Sequence, residues 1–133
     1  MITIHIAAVG VPKPKGSMKH VGRGRMVEQV KGSKEWRQMV ALAARSARKG
    51  AAPLAGPIVV VHEFVVPRPK TVKAEYPITR SSGDLDKLIR NIFDGLTDAG
   101  VWGDDSQVVS SQETKRFAVP GEEPGVVVTV RPL

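Results

Sequence analysis

The stretch from residue 83 to residue 109 constrains the fold most, because its apolar residues follow a helical period. Spacings of three and four place them on one face of a predicted helix. These residues are Leu85, Leu88, Ile89, Ile92, Phe93 and Leu96. Gly100 suits the left-handed residue that ends a helix. Asp84 and Asp86 lie at its start, where unpaired N–H groups and the helix dipole favour negative charge.

The same stretch concentrates the acidic residues of a basic chain. Six of the 13 acidic residues are Asp84, Asp86, Asp94, Asp98, Asp104 and Asp105. We expect the turn after the helix to bring one acid of the 104–105 pair towards the helix start. Clustered carboxylates repel one another unless a cation neutralises them, and hard oxygen ligands suit Mg²⁺ or Mn²⁺. The alternative is that Asp84 only caps the helix and the acidic pair only forms a turn.

The spacing of these residues resembles the signature of the RusA family of Holliday junction resolvases. The matching positions are Asp84-Leu85-Asp86, Leu88, Asp94, Leu96, Gly100, Trp102, Asp104-Asp105 and Gln107-Val108. The resemblance implies a homodimeric, Mg²⁺-dependent endodeoxyribonuclease that cuts four-way DNA junctions in recombination and repair. It also implies that Asp84, Asp86 and Asp105 are catalytic metal ligands, with Asp104 as the adjacent acid.

Arg90 stands where the family carries a lysine, one helical turn after the second acid. Arginine keeps the positive charge and can hold a phosphate, but it is not a proton donor at neutral pH. We therefore expect Arg90 to act in catalysis by stabilising charge in the transition state.

Two segments carry many basic residues. Segment 10–32 also contains proline and glycine and lacks hydrophobic periodicity, and segment 67–82 has three prolines that prevent a regular helix or strand throughout. With a formal net charge of +7, they predict a polyanionic partner. We expect two irregular loops that contact DNA phosphates without reading the sequence. The predicted contacts are Lys13, Lys15, Lys19, Arg23, Arg25, Arg68, Lys70, Lys73 and Arg80. The alternative for both segments is a solvated surface connector.

The rest of the chain predicts a single domain over residues 1–133 in the α+β class. It has two layers, a mixed β-sheet with two main helices, and the order β-α-β-α-β-β. The other elements are strands from Ile2 to Ile6 and over 58–66, 108–117 and 125–130, with a helix over 33–47 that Ser33 caps. Strand order stays open. His62 is expected to be paired within its strand, and Glu63 is an unassigned candidate for the site.

Other features narrow the class of protein. The chain has no cysteine, which excludes disulfides and thiolate metal sites. It has no signal-peptide pattern and no apolar run near the roughly 20 residues of a membrane span, so we expect a cytoplasmic, nucleoid-associated protein without a membrane partner. The resemblance suggests a phage or prophage origin. Two alternatives to the nuclease are a non-catalytic DNA-binding module and another Mg²⁺-dependent phosphoryl hydrolase.

Overall fold

A four-stranded sheet forms one layer and two helices pack together on one of its faces. The computed structural model describes residues 2–16, 18–28 and 30–133. The elements are β1 (Ile4–Val9), β2 (Met18–His20), β3 (Met26–Glu28), α1 (Ser33–Arg48), β4 (Ile58–Val66), α2 (Leu85–Asp98), β5 (Val108–Phe117) and β6 (Gly125–Pro132). This confirms the predicted α+β class and the order of its main elements. Neither helix in these ranges has the length and apolar character needed to cross a membrane.

The sheet has the strand order β1-β6-β4-β5. Its pairings are antiparallel except for β4 and β5, which run parallel and are connected through α2. A parallel connection of this kind lays the helix across the sheet, with its start at the edge where both strands end. The start of α2 therefore lies beside the end of β5, where the Lys115 Nζ donates to the Gly83 carbonyl at 2.8 Å.

The core lies between the sheet and the helices. Alternate residues of β1, β4 and β6 point towards the helices and are buried, as period-two strands require. The apolar face of α2 joins this core as predicted, with Leu88, Ile92 and Leu96 fully buried. After Ala99, Gly100 has φ 73°, and the Val101 N–H bonds to the Leu96 carbonyl. This is the glycine-terminated helix end that the sequence predicts.

Two predictions about the first half of the chain need correction. The predicted loop over 10–32 contains a small antiparallel hairpin, β2 and β3, around a turn at Gly22–Gly24. Strands of three residues are too short to show a period. The N-cap of α1 is Gly32, with φ 82°, and not Ser33. Ser33 is fully buried, and its Oγ accepts a hydrogen bond from the Asn91 side chain on α2.

Candidate functional site

The start of α2 presents two aspartates whose carboxylates are not used by the fold. Asp84 occupies the N-cap position, but its side chain makes no capping hydrogen bond. Asp86 follows in the first turn, and both residues are exposed. Over the described ranges, no hydrogen bond or ion pair engages the side chains of Asp84, Asp86 or Arg90. Asp84 therefore occupies the N-cap position without making the capping hydrogen bond, and its carboxylate oxygens are open to a ligand.

The backbone before Asp84 is held from two sides. Gly83 has φ 85°, and a Cβ at this position would meet the Leu88 side chain at 3.4 Å and Pro14 at 3.5 Å. The Lys115 ammonium donates to the Ser82 Oγ at 3.1 Å as well as to the Gly83 carbonyl. Lys115 was absent from the predicted site, because only the parallel register of β5 brings it to this helix.

At the other end of α2, the two acids of the 104–105 pair differ. The Asp104 carboxylate accepts a hydrogen bond from the Ser106 N–H at 2.8 Å and caps the 3₁₀ turn Asp105–Gln107. The Gln107 Oε1 accepts from the Asp104 N–H in return, which completes a capping box. The bond from the Ser106 N–H lowers the pKa of Asp104. The turn interpretation of the acidic pair therefore holds for Asp104.

Asp105 is the acid of the pair whose charged form is destabilised by its surroundings. Partial loss of its hydration raises the pKa of Asp105, and the neighbouring carboxylates of Asp104 and Asp94 raise it further. The ammonium of Lys15 acts in the opposite direction. A carboxyl group whose neighbours are other carboxylates gains from a nearby cation. In its chemistry Asp105 thus fits a cation ligand better than Asp104 does.

Within the described part of one chain, the acids at the start of α2 and those of the 104–105 pair do not come together as expected. No group of three or more acidic or histidine residues there is arranged to hold a metal ion. The reason is the length of α2: ten residues separate Asp84 from Asp94, or roughly 15 Å along the helix axis. Asp105 lies near Asp94 and not at the helix start. The assignment of Asp84, Asp86, Asp105 and Asp104 to a metal therefore remains a prediction.

The segment around Lys15 connects the two acidic ends. The Lys15 N–H donates to the Lys87 carbonyl at 3.0 Å, and its ammonium contacts the Asp94 carboxylate at 2.6 Å. A cleft of about 480 Å³ lies at the start of α2. Its lining includes Lys15, Arg80, Asp84 and Lys87. Positive and negative side chains thus share one concave surface.

A buried amide holds this segment in place. The Asn91 Nδ2 donates to the Lys13 carbonyl at 3.0 Å and to the Ser33 Oγ at 3.1 Å. The Asn91 Oδ1 accepts from the Arg37 Nη1 at 2.8 Å. Sequence reasoning missed Asn91, although a fully buried asparagine next to Ile92 on the apolar face of a helix is a signal that it has polar partners.

The predicted DNA-contacting residues occupy different settings. Six are exposed: Arg23, Arg25, Arg68, Lys70, Lys73 and Arg80. Lys13 and Lys15 are partly buried. The Arg68 guanidinium lies 4.3 Å from the centre of the Phe117 ring and donates to the Ala74 carbonyl at 2.7 Å. The side chain of Lys19 falls outside the described part of the chain. The assignment of these residues to phosphate contacts stays a prediction.

His62 and Glu63 lie on opposite faces of β4, and neither joins the acidic residues of α2. His62 is buried against Phe64 and Phe93, and burial lowers its pKa to about 4. The expected pairing of His62 is wrong: its ring nitrogens have no hydrogen-bond partner among the described residues, and Glu113 approaches only to 3.8 Å. The Glu63 carboxylate accepts from the Arg116 Nε at 2.8 Å on the face away from the helices.

Open carboxylates beside a cleft with basic side chains suit a protein that binds a cation and a polyanion. The comparison with protein families makes this specific: the model described as "Endodeoxyribonuclease RusA" matches residues 9–131, and the chain belongs to this family. The predicted family and the predicted enzyme class, an endodeoxyribonuclease of the kind that acts on Holliday junctions, are thereby confirmed. No curated protein matches the chain.

Proposed function

We propose that this protein is a Mg²⁺-dependent endodeoxyribonuclease that resolves four-way DNA junctions by phosphodiester hydrolysis in recombination and repair. The observation that supports this most is the pair of carboxylates at the start of α2, which the fold leaves unbonded beside a basic cleft. A module that only bound DNA would gain nothing from open acids near the phosphates, because they repel the ligand.

The acids have the chemistry that Mg²⁺ or Mn²⁺ prefers, since carboxylate oxygens are hard ligands. Asp84, Asp86 and Asp105 are the proposed ligands, and Asp104 is the weaker candidate because its carboxylate caps a turn. When bound, such an ion supplies an activated water and offsets negative charge on the phosphate. Arg90 lies one turn after Asp86 with its guanidinium unpaired in the described structure. It supplies positive charge to the transition state.

The protein is proposed to act as a homodimer. Cutting two opposed strands of a junction symmetrically requires two sites related by a two-fold axis. Asp84 and Asp105 are separated by the length of α2, which gives a second reason to propose a dimer. Acids from a partner chain can complete the group of ligands that one chain leaves open. Sedimentation should show a dimer in the presence of a junction. A monomer both free and DNA-bound would exclude this assembly.

The cellular setting follows from the substrate. An enzyme that resolves recombination junctions works where chromosomal or phage DNA is found, which is the cytoplasm and nucleoid of a bacterial cell. Most basic residues of the two loops contact the phosphates that flank the cleavage point and hold the duplex arms in register without reading sequence.

One assay tests the function against its alternatives. A labelled four-way junction, a linear duplex and a generic phosphomonoester are each incubated with the protein, with and without Mg²⁺. Paired, symmetric cuts in the junction only, and only with metal, support the proposal. Binding without any cut would favour the DNA-binding module. Hydrolysis of the phosphomonoester would favour another phosphoryl hydrolase.

A further inference from the structure

Lys15 differs from the other basic residues of the two loops in what it contacts. Its ammonium lies 2.6 Å from the Asp94 carboxylate, and its charge acts on Asp105. The same residue lines the cleft that contains Asp84. Among the described basic side chains of the two loops, Lys15 is the one with a direct contact to an acid of α2. Its backbone lies beside Lys87 near the start of α2, and its ammonium lies beside Asp94 further along the helix.

The fold places Lys15 there through several independent bonds. Its backbone N–H is held by the Lys87 carbonyl, and the carbonyl of Lys13 is held by the buried Asn91 amide. Residues 87, 91 and 94 lie on one face of α2, so the loop segment runs along that face. A lysine needed only for non-specific phosphate contact would not require this fixed position, since a mobile surface side chain performs that task.

The ammonium remains accessible despite its ion pair. The side chain of Lys15 is 40% exposed, and an ammonium group carries three N–H donors. Asp94 accepts from one donor, which leaves two for a phosphate oxygen. Asp94 also holds the ammonium among carboxylates, where the local charge would otherwise repel a phosphate.

We propose that Lys15 is a catalytic residue that contacts the phosphate undergoing cleavage, and not a flanking phosphate. This rests on the proposed junction-resolving function. In this role Lys15 offsets the charge that builds up on the non-bridging phosphate oxygens in the transition state. It supplies from the N-terminal loop a second cation in addition to Arg90 of α2.

The test separates binding from the rate of cleavage. Single-turnover cleavage of a four-way junction is measured with Mg²⁺ at saturating protein, and junction affinity is measured without metal over a salt series. Lys15→Met should lower the maximal rate by roughly 10²- to 10³-fold, as removal of one transition-state donor does. It should change the dissociation constant by less than about threefold. Lys15→Arg, which keeps the charge, should recover most of the rate.

Lys13→Met is the matched control in the same loop. It should weaken binding and reduce the slope of log K against log salt by roughly 0.9, which is the result expected for a contact to a flanking phosphate. Asp94→Asn keeps the ammonium and should retain a rate within about tenfold of the unaltered protein.

Three outcomes would overturn the assignment. A Lys15→Met protein that cuts at the normal saturated rate, or that loses affinity only, makes Lys15 a flanking-phosphate contact. Equal rate losses in Lys15→Met and Asp94→Asn, with equal losses in melting temperature, make the pair a structural anchor. If the unaltered protein binds the junction but never cuts it, the proposed function fails as well, and the assignment of Lys15 fails with it.

Discussion

Two helical segments of this protein begin with an aspartate at the N-cap position, and the fold uses the two carboxylates differently. Asp104 bonds to the Ser106 N–H and shares a capping box with Gln107. Asp84 makes no capping bond, although α2 is the longer helix and would gain more from one. The same residue type at the same position is thus structural in the 3₁₀ turn and unbonded at α2.

The contrast shows why an acid at a helix start cannot be assigned from position alone. A capping aspartate satisfies backbone donors that would otherwise lack partners. At α2 the dipole still favours negative charge, but the oxygens are left for another ligand. We therefore expect substitutions at Asp104 to change mainly stability and those at Asp84 to change mainly activity.

The largest expected effect is on cleavage by acid-to-amide variants. Asp84→Asn, Asp86→Asn and Asp105→Asn should each reduce junction cleavage by roughly a thousandfold or more, equivalent to about 4 kcal/mol in the barrier. Folding and metal-free junction binding should persist, because asparagine preserves shape and removes a repulsion towards phosphate. Cleavage over a Mg²⁺ titration, with melts and gel shifts in parallel, measures this.

Asp98→Asn is the control for that series, since this acid lies in the last turn of α2, away from the cleft. It should cut normally. Near-normal cleavage by Asp84→Asn and Asp86→Asn at low Mg²⁺ would show that these acids are not metal ligands. The contrast with Asp104 and the proposed nuclease site would then both be wrong.

The second effect concerns His62, whose titration contributes to any acid-induced unfolding used to compare the aspartates. Its pKa in the folded protein is about 4, below the ordinary 6.5. Between these values the unfolded chain binds more protons, so stability falls as the pH falls through this window. The cost at pH 4.5 relative to pH 7 is about 2 to 3 kcal/mol.

Replacement by an apolar ring tests this contribution. His62→Phe should lose about 2 to 3 kcal/mol of the pH dependence of the unfolding free energy. The exposed His5→Gln variant should keep it. Urea unfolding at both pH values gives the comparison. An equal change in unfolding free energy between the two pH values for His62→Phe and for the unaltered protein would show that His62 does not titrate in this way.

The third effect is the loss of the Asp104 cap. Asp104→Ala should lower the melting temperature by roughly 2 to 4 °C, and Asp104→Ser should restore most of it because serine also caps. Cleavage at saturating Mg²⁺ should stay within about tenfold of normal in both. A loss of cleavage that serine does not rescue would place Asp104, and not its cap, in the metal site.

The smallest effect distinguishes Asp105 from its neighbour. Because the pKa of Asp105 is raised in the folded protein, its charged form lowers stability as the pH rises through that pKa. Asp105→Asn should therefore raise the melting temperature slightly at pH 7 and have no such benefit at pH 3. A decrease at pH 7 would mean that Asp105, like Asp104, stabilises its turn.

Much of this protein follows from local pattern. The apolar period of α2 and the apolar run of β4 appear in the sequence because each element must bury one face or both. The end of α2 at Gly100 was predictable because the left-handed conformation favours glycine. The acids of the site and their resemblance to the RusA family were visible for a similar reason: their spacing is local.

Other features depended on which elements lie side by side. The parallel pairing of β4 and β5 brings Lys115 to Gly83, and it sets Asp84 and Asp105 at opposite ends of α2. Ser33 turned inwards to Asn91 although its position suggested a cap, because a buried amide required partners more than the helix end did. Lys15 approached Asp94 across 79 positions of sequence. No local period encodes such contacts, since they arise only when separate segments pack on one helix.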